Sequence, residues 1–200
     1  KYYQDGIDEL VFMDCVATLY GRNNLYNIIN TATKDIFIPI TVGGGVRSLE
    51  DARNILNCGA DKIAVNTAAV IKPEFISELA NVLGSQSVVL SVEAKKRNEN
   101  HWEVYTNNGR ELTGWDVFEW IKRAVSLGVG EILLTSIDKE GTRKGFDIEL
   151  IRLASQITEV PIIASGGLGK VNDLIDVINI GKADAAAVAD AIHYKRISVK

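Results

Sequence analysis

The chain builds one local pattern twice. ITVGGGVRS (residues 40–48) and IIASGGLGK (residues 162–170) are each an apolar run of strand length that stops on paired glycines and then turns polar. The offset that carries Gly44 onto Gly166 also carries GIDEL (6–10) onto GVGEI (128–132). One residue more lays GADKIAVNTA (59–68) on KADAAAVADA (182–191). A repeat that keeps strands, helices and glycine corners in register is an internal duplication of a structural unit.

The unit is a strand followed by a helix. Apolar runs of strand length recur at 9–14, 38–44, 62–66, 87–94, 131–136, 160–167 and 183–190, and they are continuous rather than alternating. That is the pattern of parallel strands covered on both faces. Between them lie helix-period segments. SLEDARNILNCG begins on a capping Ser48, carries acids in its first turn and ends at Gly59, and KPEFISELANVLG and TGWDVFEWIKRAVSLGVG follow the same plan. Alternating β and α predicts an α/β fold with a parallel sheet. Neither G-x-G-x-x-G nor a P-loop occurs, so the doubly wound nucleotide folds lose their main signal. Two duplicated halves of four units make a (βα)8 TIM barrel.

Seven strands can be counted, and the chain opens on Lys1 rather than Met. The expectation is a single barrel domain over residues 1–200, without its first βα unit and last helix, shorter than the usual ~250 residues. Such a chain would expose two strand edges and invite aggregation. One segment breaks the rhythm: KKRNENHWEVYTNNGRELTG (95–114) alternates and contains the hairpin signal NNG, which predicts a flap between the fifth barrel strand and its helix.

Composition narrows the function. Hydrophobic residues at 46%, charged residues at 24% and a net charge of −4 describe a soluble globular protein with no electrostatic footprint for nucleic acid. No apolar run approaches the roughly 18 residues of a membrane span, and no segment reads as a signal peptide, so a cytoplasmic protein is expected. Cys15 and Cys58 read as reduced, buried thiols, and His101 and His193 as isolated surface histidines. Neither a metal nor an organic cofactor is expected.

The glycine corners carry the chemistry. In a (βα)8 barrel the C-terminal ends of the strands form the active face, and glycine there lets backbone N–H groups approach an anion. Two corners in opposite halves predict two phosphates, one at each end of an elongated substrate.

DELVFMD, TVGGGVRS, GADKIAVNTAAV, GEILLTSID, PIIASGGLGK and ADAAAVADAIHYKRI together resemble the family of cyclase subunits of imidazole glycerol phosphate synthase, over nearly the whole chain. The asparagine of VNTAAV distinguishes this family from the related isomerase of histidine biosynthesis. The resemblance implies a barrel that receives ammonia through its core from a glutaminase partner. The ammonia cleaves a linear bis-phosphate, giving imidazole glycerol phosphate and an aminoimidazole carboxamide ribotide. By position, Gly44, Gly45, Asn66 and Thr67 would hold one phosphate, and Ser165, Gly166, Gly167, Ala189 and Asp190 the other. Asp14, Thr135 and Glu140 would share the active face. Glu9, Lys62 and Glu131 match three members of a charged ring where ammonia enters, the fourth being an arginine on the first strand. Asp61 matches the acid that faces the glutaminase.

Three positions depart from the family. The resemblance implies a general base–acid pair of one aspartate on the first strand, which this chain does not show, and one on the fifth, where Glu93 stands instead; Glu140 replaces a loop aspartate. Asp190 replaces a serine, so a carboxylate meets a phosphate unless a cation such as Arg47, Arg143 or Lys170 compensates. With YGRNNL (20–25), these changes resemble a paralogous branch that converts an acetamido to an acetamidino group on a nucleotide-linked sugar. A noncatalytic barrel that only docks a glutaminase is a third reading, needing Asp61 but not Glu93. On the resemblance Glu93 is the catalytic carboxylate, and its apolar strand should raise its pKa. An ion pair with Lys95 is the structural alternative.

Overall fold

The computed structural model describes residues 2–14 and 25–199. Cys15 and residues 20–24 of the YGRNNL segment therefore lie outside the described residues. Among the described residues, seven strands run parallel and in chain order. They are β1 (Leu10–Met13), β2 (Ile40–Gly43), β3 (Lys62–Val65), β4 (Val88–Asn98), β7 (Glu131–Ser136), β8 (Ile162–Ser165) and β9 (Ala185–Ala187). Helices stand between them: α2 (Leu25–Ala32), α3 (Leu49–Asn57), α4 (Thr67–Ile71), α5 (Glu74–Leu83), α6 (Val117–Ser126), α7 (Ile148–Ser155) and α8 (Val171–Asn179). Short α1 (Tyr2–Asp5) and α9 (Asp190–His193) lie at either end. This is an α/β fold of the TIM-barrel type.

The sheet is curled. Lys62, at the start of β3, reaches Glu9 before β1 and Glu131 at the start of β7, although three strands separate β1 from β7. The curl also brings the two ends of the chain together, since Tyr2 Oη and His193 Nδ1 share a hydrogen bond of 2.8 Å. His193 is thus partnered, and so is His101, whose Nδ1 lies 3.0 Å from Asp116 Oδ2. Neither is the isolated surface histidine expected. Cys58 is half-buried, less shielded than expected.

Alternation along each strand sorts the side chains. Outward-facing Val88, Leu90 and Val92 of β4 join the large core beneath the helices with Trp102, Trp120 and Ile121. Inward-facing Ala64, Val89, Leu133 and Ile163 form a second, smaller cluster inside the curl. On β1 the inward-facing Val11 and Met13 keep 36% and 42% of their surface exposed.

β4 does not stop at Ala94. It continues to Asn98 and turns back as β5 (His101–Thr106), which pairs antiparallel with it and with β6 (Glu111–Asp116). The helix expected from Thr113 therefore begins only at Val117. Thr113–Asp116 are spent on β6, and Asp116 caps α6 by accepting from the N–H groups of Phe118 and Glu119 at 2.9 and 3.1 Å.

The duplication is visible bond by bond. Leu10 N–H donates to Pro39 O as Ile132 N–H does to Pro161 O. Arg47 N–H donates to Asp51 Oδ2, and its counterpart Gly169 N–H to Asp173 Oδ2, pinning the helix after each glycine corner. Ile40 N–H donates to Asp61 Oδ2 at 2.8 Å, and Ile162 N–H to Asp184 Oδ2 at 2.8 Å. In both places an exposed aspartate at the foot of one strand fastens the first amide of its neighbour. Hydrogen bonds to charged acceptors contribute about 1.5–3 kcal/mol, less when exposed. Asp61→Ala and Asp184→Ala should each lower unfolding free energy in urea by roughly 1–2 kcal/mol, and the losses should add. No loss for Asp61→Ala would leave it without this role in the fold.

Candidate active site

At the C-terminal edge of the sheet the register aligns Glu93, Thr135, Ser165 and Ala187 in one inward-facing row. Beside that row a cavity of about 700 Å³ opens, lined by Asp14, Gly44, Gly45, Asn66, Thr67, Ser91, Glu93 and Asn107, with the cations Arg47 and Lys72 at its wall. The first glycine corner and the candidate catalytic carboxyl thus share one space. Gly44 has φ +94°, and a Cβ there would lie 2.3 Å from Asp14 O, so both conformation and room demand glycine.

Glu93 is half-buried and held. Its Oε2 accepts from Asn66 Nδ2 at 3.1 Å and from Gly109 N–H at 3.0 Å. Gly109 lies in the β5–β6 turn, whose Asn107 and Asn108 have φ of 52° and 59°. The left-handed turn folds the flap back over the cavity, where Asn107 N–H also donates to Thr67 Oγ1 at 3.4 Å. Burial pushes the Glu93 pKa up, and the Gly109 and Asn66 hydrogen bonds oppose this without cancelling it. The ion pair with Lys95 is not formed; Lys95 Nζ instead sits 5.9 Å from the Tyr105 ring centroid. Among the described residues, Asn66 Oδ1 is buried without a hydrogen-bond partner.

The second corner lies farther along the sheet, outside that cavity. Gly166 and Gly167 take φ of 92° and 111°, and a Cβ at Gly166 would fall 3.0 Å from Ser136 O and 3.1 Å from Glu140 Oε2. Ser136 is the repeat counterpart of Asp14, so both corners press on the chain after the preceding strand. Glu140 is brought to the corner, and Thr135 pairs with Ser165 beside it. Ala189 and Asp190 follow β9 at the next position. The cations facing Asp190 are Arg143, at 3.4 Å, and Arg196; Arg47 lies at the first corner.

At the opposite end of the strands, Lys62 Nζ lies 3.1 Å from Glu9 Oε2 and 2.9 Å from Glu131 Oε2. Burial alone would lower the Lys62 pKa; the hydrogen bonds and charges of Glu131 and Glu9 outweigh it and hold the ammonium above the ordinary lysine range. Its stabilising contribution is complete at neutral pH and is lost only as pH rises through that raised value. Directly across the register, Thr41 Oγ1 is buried with no hydrogen-bond partner among the described residues. Asp61 is exposed on the same face, one oxygen committed to Ile40.

Sequence reasoning missed Ser91, Gly109 and Arg196. Ser91 lines the cavity two residues before Glu93, a spacing that alternation reveals once the strand's inward face is known.

Fold and geometry define a protein of the TIM-barrel type with a carboxyl- and glycine-lined cavity at one end of its strands and the Glu9–Lys62–Glu131 charge cluster at the other. A family model described as "Histidine biosynthesis protein" matches residues 1–198. The chain is 58% identical over 172 residues to "Imidazole glycerol phosphate synthase subunit HisF" of Legionella pneumophila, covering 86% of this chain and 81% of that protein. To the protein of the same name from Geobacillus thermodenitrificans (strain NG80-2) it is 48% identical over 199 residues, covering 99% of this chain and 79% of that one. The chain belongs to the histidine biosynthesis protein family.

The raised Glu93 pKa carries a stability signature. Its folded-state value exceeds the ordinary 4.5, so its contribution is complete below about that pH and is lost as pH rises through the folded-state value. Glu93→Gln removes the buried charge while its amide oxygen can still accept from Gly109 and Asn66. By calorimetry it should melt above the parent at neutral pH and level with it near about pH 4. A lower melting temperature at neutral pH would contradict the burial argument.

Proposed function

We propose that this chain is the cyclase subunit of an imidazole glycerol phosphate synthase, a lyase of histidine biosynthesis. It uses ammonia to cleave a linear bis-phosphate into imidazole glycerol phosphate and an aminoimidazole carboxamide ribotide. The observation that carries this reading is Glu93, half-buried with a raised pKa in the cavity that also contains the Gly44–Gly45 corner. A carboxyl group with a raised pKa is suited to exchange protons with both an attacking nitrogen and a departing one. Gly44, Gly45, Asn66 and Thr67 would offer backbone N–H groups to one phosphate, the Asn66 side-chain amide being committed to Glu93, and Ser165, Gly166, Gly167 and the Ala189–Asp190 turn would flank the other. Nothing favours the sugar-amidine branch or a noncatalytic docking barrel.

A synthase subunit has a partner, and the partner we propose is a glutaminase docked over Asp61 and the Glu9–Lys62–Glu131 ring. Ammonia released there would pass Lys62 and travel inside the curl to Glu93. Among the described residues no helix is long and apolar enough to cross a membrane, which suits a cytoplasmic assembly.

With ammonium salts as nitrogen source, Glu93→Gln should lower turnover by about 10²–10⁴, the range of lost general acid–base catalysis. Retained turnover would remove Glu93 from the chemistry. In the assembled synthase, Lys62→Ala should lower glutamine-driven turnover at least about tenfold while sparing ammonium-driven turnover, a typical coupling magnitude. Equal loss with both sources would mark Lys62 as structural.

A further inference from the structure

The second glycine corner is bridged by charge. Arg143 sits in the connection after β7 and Asp190 follows β9, while Gly166 and Gly167 follow β8 between them. Arg143 Nε lies 3.4 Å from Asp190 Oδ2, so the ion pair spans the intervening corner. Arg196 closes on the same carboxylate oxygen through Nη1 and also lies 3.4 Å from Asp190 O, its guanidinium stacked 4.8 Å from the Tyr194 ring centroid.

The backbone beneath is tightly packed and hydrogen-bonded. Gly145 N–H donates to Gly167 O at 2.8 Å, and a Cβ at Gly169 would fall 2.2 Å from Arg143 O. Arg143 itself holds φ +57°, a conformation few non-glycine residues adopt, and this fixes where its side chain departs. The guanidiniums therefore have a defined position and a carboxylate partner. That partner is exchangeable, because the Arg143 and Asp190 side chains remain 52% and 38% exposed and such pairs are weak. Phosphate is a better partner for a guanidinium fork, with more charge and more acceptor oxygens.

We propose that Asp190 is a resident counter-anion. It holds Arg143 and Arg196 over the second corner until a phosphate group displaces it. Asp190 thereby determines specificity: a dianionic phosphate outcompetes the carboxylate, whereas a singly charged ligand does not. Glu140, against Gly166, adds a second carboxylate that raises the threshold. This inference rests on the two-phosphate reading of the corners.

Titrating the full chain with inorganic phosphate at constant ionic strength, while following the amide resonances of Gly166–Gly167 and Gly44–Gly45, tests each corner separately. Asp190→Asn should tighten binding at Gly166–Gly167 about tenfold, with Gly44–Gly45 unchanged, since losing one competing charged hydrogen-bond partner is worth about that much. Arg143→Ala and Arg196→Ala should each weaken the same site severalfold, and Arg143→Lys, which keeps charge but loses the fork, should weaken it less. The counter-anion role is overturned if Gly166–Gly167 respond to phosphate but Asp190→Asn binds no tighter. If phosphate moves neither glycine pair in the parent or in Asp190→Asn, the two-phosphate reading fails and the inference with it.

Discussion

Everything at the two ends of this molecule depends on the two-residue period of its parallel strands. In β4 that period turns Val89, Ser91 and Glu93 inward and gives Val88, Leu90 and Val92 to the helices. Register then places Glu93 beside Thr135 and Thr135 beside Ser165. The same rule turns Lys62 inward at the other end, between Glu9 and Glu131. A slip of one residue in any strand would exchange its polar and apolar positions. The buried Val, Ile and Leu side chains prevent that slip, so the core that stabilises the sheet also sets the chemistry on its edges.

Glycine and carboxylate do complementary work at those edges. The paired glycines let each corner lie flat against the preceding strand's exit, at Asp14 O in one half and Ser136 O in the other. The aspartates fasten what the glycines leave loose: Asp61 and Asp184 at the strand feet, Asp51 and Asp173 at the helix starts. Because these acids recur in both halves, their bonds belong to the duplicated frame. Glu93, Glu140 and Asp190 lie instead at the cavity and at the second glycine corner.

The strands and the glycine corners are legible in the sequence, because each leaves a local pattern that the duplication prints twice. Glu9 and Glu131 coincide under the repeat offset alone. Contacts made by folding back are not legible. The NNG turn announces a hairpin, but not that Gly109 N–H lands on Glu93, which depends on β4 continuing to Asn98. The helix start at Val117 is hidden because Thr113–Asp116 serve β6 first. Arg196 and Asp190 are six residues apart, which is not a helical pairing distance, and the spacing of Asp61 gives no sign of its bond to Ile40, a residue on the neighbouring strand.

Partial burial at the C-terminal edge of the sheet holds the Glu93 carboxyl above the ordinary glutamate range, the property its proposed role needs. The direct measurement is a carbon NMR titration of the Glu93 side-chain carboxyl in the intact chain. A midpoint above the ordinary value of 4.5 is the predicted result. A midpoint at or below 4.5 would show that Gly109 and Asn66 outweigh burial, leaving a carboxylate with no proton to give and contradicting the assigned role.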